Sequence, residues 1–286
     1  MKHIYDMNRR KITLLDGAVG TSLWERTNDR GPVWKYNIEK PQLVIDQAKE
    51  FQNIGSEIIL TNTFGANRDA VSRTEYNVEE VVRMGVKLTR EALADTDAKI
   101  ALAVGPLSSI LKPWGDLSET EAQNIYEEQI GAGMSEHPDI IYLMTFMDVD
   151  MMRIAVNVAK QYNVPIFCSM TFTKFGKTMM GNSVEDIVNA LEPMGIDAIG
   201  MNCSLGPDIS IPVIKKFAKI TQLPLLFKPN AGTPILSSDG KEERPCTPKE
   251  FAANFVPAFE YVSYVGGCCG TNAEYLTAVK KELKNR

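Results

Sequence analysis

Short apolar runs alternate with longer amphipathic stretches along the whole chain. Most of the short runs are almost continuously apolar, which predicts strands buried on both faces of a parallel sheet; they span residues 12–15, 57–61, 100–104, 140–145, 165–170, 198–201, 224–227 and 261–265. The intervening stretches place apolar residues at helical spacing and predict helices over residues 41–53, 78–94, 119–134, 151–162, 184–194, 210–220, 249–255 and 273–283. Because strands that alternate with helices need crossover connections, the predicted sheet is parallel.

Eight strand–helix units favour an α/β fold of the closed (β/α)8 type, the TIM barrel, with an open doubly wound sheet as the alternative. The length of 286 residues is close to the about 250 residues of such a barrel and near the limit for one core. A single domain spanning residues 1–286 is therefore expected. One long polar stretch, residues 237–249, predicts a surface loop between the seventh strand and the next helix.

Charge and hydropathy narrow the range of partners. The net charge is -5, and lysines and arginines are scattered, so the sequence predicts no nucleic-acid binding. No apolar run approaches the about 20 residues that span a bilayer, so no membrane partner is expected. Residues 1–11 lack the apolar core of an export signal, which predicts a cytoplasmic protein.

Five cysteines carry the first chemical signal. An odd count without an export signal argues against a disulfide framework. Cys203 follows the sixth predicted strand, and Cys268 and Cys269 follow the eighth, so all three belong to the barrel end where active sites form. Three thiolates leave one open position on a tetrahedral zinc ion and disfavour magnesium or calcium. From the pattern alone, ordinary buried thiols or a vicinal disulfide remain alternatives; Cys168 and Cys246 are interpreted as non-ligands.

A zinc ion with an open position would act on a thiol substrate. A free thiol has a pKa of about 8.5, and coordination to a divalent cation deprotonates it at neutral pH. The resulting thiolate attacks an electrophilic methyl group without a protein base. The two histidines, His3 and His137, follow no predicted strand, so a Ser-His-Asp or Cys-His hydrolase is not expected.

Further candidate site residues follow other predicted strands. The segment after the first strand contains two glycines, which predicts either a backbone nest for a carboxylate or phosphate or a simple tight turn; it comprises Asp16, Gly17, Ala18, Val19, Gly20 and Thr21. No Gly-Lys-Ser/Thr sequence follows, so it is not a P-loop. Asn62 follows the second predicted strand, Thr145 ends the fourth, and Asn230 follows the seventh; all three are candidate substrate-binding residues.

Six stretches together resemble the homocysteine S-methyltransferase family, and most of all the homocysteine-binding module of cobalamin-dependent methionine synthase: LLDGAVGTSL, TNTFGANR, MTFTKFGKTMMG, IGMNCSLGP, KPNAGTP and VGGCCGTNAEYL. The resemblance covers nearly the whole chain in order. It implies the barrel fold, an S-methyltransferase activity, and zinc held by Cys203, Cys268 and Cys269. It also implies that Asp16 binds the amino group of homocysteine, that backbone N–H groups of residues 17–21 bind its carboxylate, and that Asn230 can occupy the open zinc position before substrate arrives.

One position departs from the family pattern. Members usually carry a Glu-Thr pair after the fourth strand, whose glutamate binds the homocysteine amino group, but here the pair is Met144-Thr145. A thioether is a poor acceptor for an ammonium, and losing a charged partner to a buried ammonium costs about 2–5 kcal/mol. The sequence therefore predicts that Asp148 or another carboxylate replaces the glutamate, or that the substrate lacks the ammonium.

Three functions remain open from the sequence. The first is a methyltransferase acting on homocysteine or a similar thiol, with methylcobalamin on a separate corrinoid protein as the donor favoured by the resemblance; S-methylmethionine, S-adenosylmethionine or a betaine are alternative donors. The second moves a methyl group from a methylated small molecule to a separate corrinoid protein. The third is a zinc-binding barrel without catalysis, which the cysteine set and the Asp16 segment disfavour.

Overall fold

Eight parallel strands form the centre of the molecule. The computed structural model describes residues 11–27, 29–232, 235–236, 242–243 and 246–286. The eight strands are β1 (Thr13–Leu14), β2 (Ile58–Leu60), β3 (Lys99–Val104), β4 (Ile140–Phe146), β5 (Ile166–Met170), β6 (Ala198–Asn202), β7 (Leu225–Lys228) and β10 (Tyr264–Val265). Two other short strands, β8 (Ile235–Leu236) and β9 (Glu242–Glu243), pair antiparallel with each other. Each predicted strand run overlaps one strand of the sheet, and the bounds of β3, β4, β6 and β7 extend one residue beyond the predicted runs.

The sheet closes into a barrel. Its hydrogen-bonded order is β1-β10-β7-β6-β5-β4-β3-β2. Apart from β8 and β9, which lie outside this sheet, each strand therefore pairs with the strands that precede and follow it in the chain. A parallel bridge between Leu15 and Ile58 joins β1 to β2. There, Asp16 N donates to Ile58 O at 3.2 Å and Glu57 N donates to Leu14 O at 2.7 Å. These bonds confirm the predicted (β/α)8 barrel and exclude the open sheet.

Helices surround the barrel. They are α1 (Val19–Thr27), α2 (Tyr36–Glu39), α3 (Pro41–Asn53), α4 (Arg68–Val71), α5 (Val78–Ala92), α6 (Glu119–Met134), α7 (Val149–Ala159), α8 (Val184–Leu191), α9 (Pro207–Ile220), α10 (Pro248–Phe255) and α11 (Ala273–Lys284). The prediction missed α1, α2 and α4. It was also wrong for part of the polar stretch 237–249, which includes β9 and the start of α10; residues 237–241 and 244–245 lie outside the described residues. In the described part of the chain, no helix is long and apolar enough to cross a bilayer.

Two apolar layers fill the fold and set the depth of the site. Alternate residues of each strand face the helices or the barrel interior, as expected for a pleated strand. Tyr142 and Phe167 belong to the interior layer, with ring centroids 6.2 Å apart, and Tyr264 packs on Phe167 at 4.7 Å. Phe167 and Tyr264 also line the opening at the N-terminal end of the strands, so these rings fill the barrel from that end. Met144 lies two residues beyond Tyr142 on the same strand face, so it lies nearer the C-terminal end of the barrel.

Candidate metal centre and substrate cavity

A cavity of about 350 Å³ opens at the C-terminal end of the barrel. The segments that follow β1, β2, β6 and β10, together with the end of β4, supply most of its wall. Ten of the residues predicted from the sequence line it: Gly17, Ala18, Val19, Gly20, Thr21, Asn62, Thr145, Cys203, Cys268 and Cys269. Asp16 and Asn230, which were also predicted, do not line it. The barrel therefore brings residues from distant parts of the chain to one site.

The three predicted ligand cysteines converge. Their sulfur atoms all lie within 4.8 Å of one another, and Cys203 Sγ lies 3.3 Å from Cys269 Sγ. Sulfurs bound to one tetrahedral zinc at about 2.3 Å lie about 3.8 Å apart, so the spacing fits a shared ion. All five cysteines are free, which excludes the vicinal disulfide. Cys168 packs among apolar residues that face the helices, and Cys246 Sγ donates to Thr247 O, so neither joins the cluster.

Backbone contacts hold the two cysteine segments together. Cys203 N donates to Lys228 O at 3.1 Å, and Cys268 N donates to Pro229 O at 2.8 Å, so the end of β7 supports both. Gly270 has a φ of 80°, which lets the chain turn back after the cysteine pair. Gly267 is needed for another reason, since a Cβ there would collide with the side chain of Thr271.

The three neighbouring thiols oppose one another's ionisation. Hydrogen bonds to Cys268 and Cys269, together with burial, raise the pKa of Cys203 far above that of a free thiol. Cys203 lowers the pKa of Cys268, but Cys269 and burial outweigh this effect and raise it to about 12. Several thiolates cannot coexist in so small a buried volume without a positive charge between them. A cation that prefers sulfur would supply that charge, and the donor set fits zinc.

Asn202 connects the cysteine cluster to the barrel interior. Its Nδ2 donates to Thr145 Oγ1 at 2.6 Å and to Cys268 Sγ at 3.8 Å. Its Oδ1 accepts from Thr145 N at 2.8 Å and from Ser169 Oγ at 2.6 Å. Thr145 has a φ of 66°, a strained value for a β-branched residue, and the two bonds to Asn202 hold it there. Asn202 belongs to the stretch IGMNCSLGP that carries the family resemblance, but the sequence alone indicates no role for it.

A buried ion pair lies beneath the cavity. Lys228 Nζ donates to Asp16 Oδ1 at 2.6 Å and to Asp16 O at 2.9 Å, and Leu60 N donates to Asp16 Oδ2 at 2.8 Å. Burial raises the pKa of Asp16, and Lys228 opposes that rise. Lys228, rather than Asp16, lines the cavity. Both carboxylate oxygens therefore already have partners, and the predicted contact of Asp16 with a substrate amino group stays a prediction.

The segment after β1 leads into a helix rather than ending in a simple turn. Ala18 N donates to Thr271 O at 2.9 Å, and α1 begins at the next residue. Thr21 Oγ1 accepts from Gly270 N at 3.1 Å, which ties α1 to the segment of the cysteine pair. The first turn of α1 thus lies at the cavity wall, where its N–H groups favour a negative charge.

The two predicted asparagines lie in different surroundings. Asn62 Nδ2 donates to Val33 O at 2.8 Å and to Asn37 Oδ1 at 2.9 Å, which fixes the asparagine in the cavity wall. Asn230 Nδ2 donates to Ser204 O at 2.8 Å, while its Oδ1 is buried without a hydrogen-bond partner among the described residues. A buried acceptor without a donor is costly, so Asn230 Oδ1 needs a donor from outside the described residues, and its predicted place at the open zinc position stays a prediction.

Comparisons with known proteins agree with this geometry. The sequence profile of the homocysteine S-methyltransferase family matches residues 13–283. The chain belongs to this family. Its relatives include the methionine synthase of Mycobacterium tuberculosis, which is 26% identical over an alignment of 314 positions. That alignment covers 99% of this chain and 26% of that protein. The methionine synthase of Mycobacterium leprae is 27% identical over an alignment of 308 positions, which covers 97% of this chain and 25% of that protein. The chain thus spans about a quarter of the length of these relatives.

Solved structures support the fold of this family member. The homocysteine methyltransferase MmuM from Escherichia coli, in its oxidised form, superposes with a TM-score of 0.80 at 20% identity, covering 96% of this chain and 97% of that one. The metallated form of MmuM gives a TM-score of 0.79 at 19% identity, with the same coverage. At identities this low, these superpositions support the shared barrel fold alone.

Proposed function

We propose that this member of the homocysteine S-methyltransferase family is a zinc-dependent methyltransferase that activates a small thiol, homocysteine or an analogue. The observation that carries the proposal is the convergence of the Cys203, Cys268 and Cys269 sulfurs at the wall of the cavity. Three protein thiolates leave one position for a fourth ligand, which is the pattern of a catalytic zinc site. Family membership supports the type of reaction.

In this proposal, different groups of the site have different roles. Zinc, when bound, supplies one chemical effect: it lowers the pKa of the substrate thiol, so that a nucleophilic thiolate exists at neutral pH. Asn202 holds Cys268 and Thr145 in place through its amide. The N–H groups in the first turn of α1, which lies at the cavity wall, would bind a substrate carboxylate. No general base is required, because no proton remains on the attacking sulfur.

A methylated corrinoid on another protein is the donor that we propose. The resemblance to the module of cobalamin-dependent methionine synthase supports it. A cavity of about 350 Å³ is near the lower end of small-molecule sites, so a macrocyclic donor has to present its methyl group from outside. Exposed apolar side chains lie in the loops around the same barrel end and suit contact with a protein: Phe64, Trp114, Phe175 and Met179.

A second candidate function reverses the direction of transfer. In it, the site binds a methylated small molecule and passes the methyl group to a corrinoid protein. The apolar part of the cavity wall favours this reading, because Trp24, Trp34 and Met144 suit a methylated group better than a charged one. The two functions share the metal centre and differ in which partner arrives methylated.

Metal content and methyl transfer test the proposal. We expect the purified, zinc-loaded protein to hold one zinc ion per chain and to transfer a methyl group from methylcobalamin to homocysteine or another small thiol. Cys203→Ser should lose both properties, and Cys246→Ser should keep both because Cys246 lies outside the cluster. Net formation of methylcobalamin from a methylated substrate would favour the second function. Full activity in Cys203→Ser, or no zinc in the wild type, would contradict both.

A further inference from the structure

The cavity contains no carboxylate among the described residues that line it. Apart from the cysteines, the one ionisable side chain among these described lining residues is Lys228, which forms an ion pair with Asp16. On the basis of the proposed function, we propose that the thiol substrate of this site carries a carboxylate but no ammonium group. The substrate class is a short mercapto-carboxylic acid rather than an α-amino acid.

The two carboxylates that the sequence offered for an ammonium are engaged elsewhere. Asp16 is fully buried, and its two oxygens accept from Lys228 Nζ and Leu60 N. Asp148 caps α7, where its Oδ1 accepts from Asp150 N at 2.9 Å, and it does not line the cavity. Neither residue therefore replaces the glutamate that is missing at Met144.

Met144 occupies the wall beside the metal centre. Its side chain is 8% exposed and belongs to both the barrel interior and the cavity lining. The substrate sulfur has to lie on the cysteine side, so the head of the substrate lies against the remaining wall. An ammonium placed there would meet a thioether, which is a weak acceptor, and would lose its water without gaining an anion.

The same wall suits a negative head. Two of the three Nζ hydrogens of Lys228 go to Asp16, which leaves one for a ligand in the cavity. The first turn of α1 lies at the wall as well and adds a partial positive charge. Because Asp16 compensates the charge of Lys228, the remaining Nζ hydrogen and the N–H groups of α1 act as hydrogen-bond donors. Donors suit a carboxylate and offer nothing to an ammonium, which needs an acceptor.

Four thiols that share one three-carbon chain test the proposal by calorimetry on the zinc-loaded protein. They are homocysteine, 4-mercaptobutanoate without the amino group, 3-amino-1-propanethiol without the carboxylate, and 1-propanethiol without either. We expect 4-mercaptobutanoate to bind at least about tenfold more tightly than homocysteine, and 3-amino-1-propanethiol to bind most weakly. Homocysteine binding as tightly as 4-mercaptobutanoate would overturn this inference alone. Failure of every thiol to bind would overturn the proposed function and the inference with it.

A variant of the wall checks the assignment to Met144. Met144→Glu places an acceptor for an ammonium in the wall, so we expect homocysteine to bind at least about tenfold more tightly and 4-mercaptobutanoate more weakly than in the wild type. Met144→Gln has a similar size without charge and should keep the wild-type order. Met147→Glu is the matched control, because Met147 is 40% exposed and outside the lining. Unchanged homocysteine binding in a folded Met144→Glu protein would contradict the inference.

Discussion

Asn202 uses every hydrogen-bonding position of its side-chain amide. Two donated bonds go to Thr145 Oγ1 and Cys268 Sγ, and two accepted bonds come from Thr145 N and Ser169 Oγ. Residues that orient metal ligands in this way affect metal affinity without touching the metal. Asn202 also lies directly before Cys203, whose φ of 48° is itself a strained value. The amide therefore fixes both the cysteine and the threonine at the cavity wall.

We predict that Asn202→Asp weakens zinc binding by about 10- to 100-fold. The carboxylate has no donor for Cys268 Sγ and brings a negative charge next to a thiolate. Competition with a chromophoric chelator measures the affinity, and the absorption of the cobalt-substituted protein reports the geometry of the thiolates. Asn272→Asp is the control, because aspartate caps α11 as well as asparagine does. Equal zinc affinity in Asn202→Asp and Asn272→Asp would show that Asn202 has no such role.

The sequence identified the cysteines but missed Asn202 and Lys228 as site residues. The cysteines stand out because the strand pattern places them at one end of the barrel and because thiols suit few roles there. The partners of Asn202 and Lys228 lie far away in the chain, and 212 positions separate Lys228 from Asp16. Local patterns carry no information on pairs of this kind, since the register of the closed barrel creates them.

Three helices begin with the same reciprocal cap. In α6, α8 and α10, a serine or threonine accepts from the backbone N–H three residues later, and the acid at that position accepts from the N-cap backbone; the pairs are Ser118 with Glu121, Ser183 with Asp186, and Thr247 with Glu250. All three caps lie on the solvent side of the fold. They fix where the helices start, which explains why α6 and α8 begin at the residues predicted from the sequence.

We predict that these caps weaken in acid. Hydrogen bonds from Ser118, Ser183 and Thr247 lower the pKa values of Glu121, Asp186 and Glu250, respectively. An acid whose pKa is lowered on folding adds stability above its unfolded value of about 4, and that stability is lost as the pH falls through the folded value. The thermal midpoint should therefore fall more steeply below about pH 5 in the wild type than in the Glu121→Gln, Asp186→Asn, Glu250→Gln triple variant.

The control for this prediction changes acids that take no part in a cap. Glu119→Gln and Glu185→Gln lie in the first turns of α6 and α8, so they remove charge near the same helix ends. These two variants should keep the acid-dependent fall of the thermal midpoint that the triple variant lacks. An equal pH slope in the wild type and the triple variant would mean that the caps add no measurable pH dependence.

Local pattern predicted the long elements well and the short ones poorly. The strands of the barrel and helices such as α3 and α6 bury a continuous apolar face, and that face shows in the sequence. The missed helices α2 and α4 have four residues each, too few for a helical period. In α1, Gly20 and polar residues obscure the period, and the position of the helix depends on contacts with the segment of the cysteine pair.

The Asp16–Lys228 pair joins opposite ends of the chain across the closed barrel. Asp16 follows β1, Lys228 ends β7, and β10 lies between these two strands. The carboxylate is 0% exposed and the lysine side chain 1%. An ion pair that lies out of water adds little to stability in total, but removal of one partner leaves an unpaired buried charge. The pair therefore makes the closure of the barrel depend on both residues being present.

We predict that Lys228→Met lowers the free energy of unfolding by about 3–5 kcal/mol at neutral pH, and that adding Asp16→Asn recovers at least about 2 kcal/mol of it. In Lys228→Met, burial still raises the pKa of Asp16, and the opposing effects of Lys228 are gone. An acid with a raised folded pKa loses stability as the pH rises, so the deficit should grow from about pH 4 towards neutral pH. Urea unfolding at several pH values measures both effects.

Arg68→Met is the control: it removes a half-exposed pair with Glu128 and should lower the free energy of unfolding by less than about 1 kcal/mol. A Lys228→Met deficit as small as that of Arg68→Met, or one that shrinks with rising pH, would show that water reaches the Asp16 carboxylate and that the barrel does not seal it.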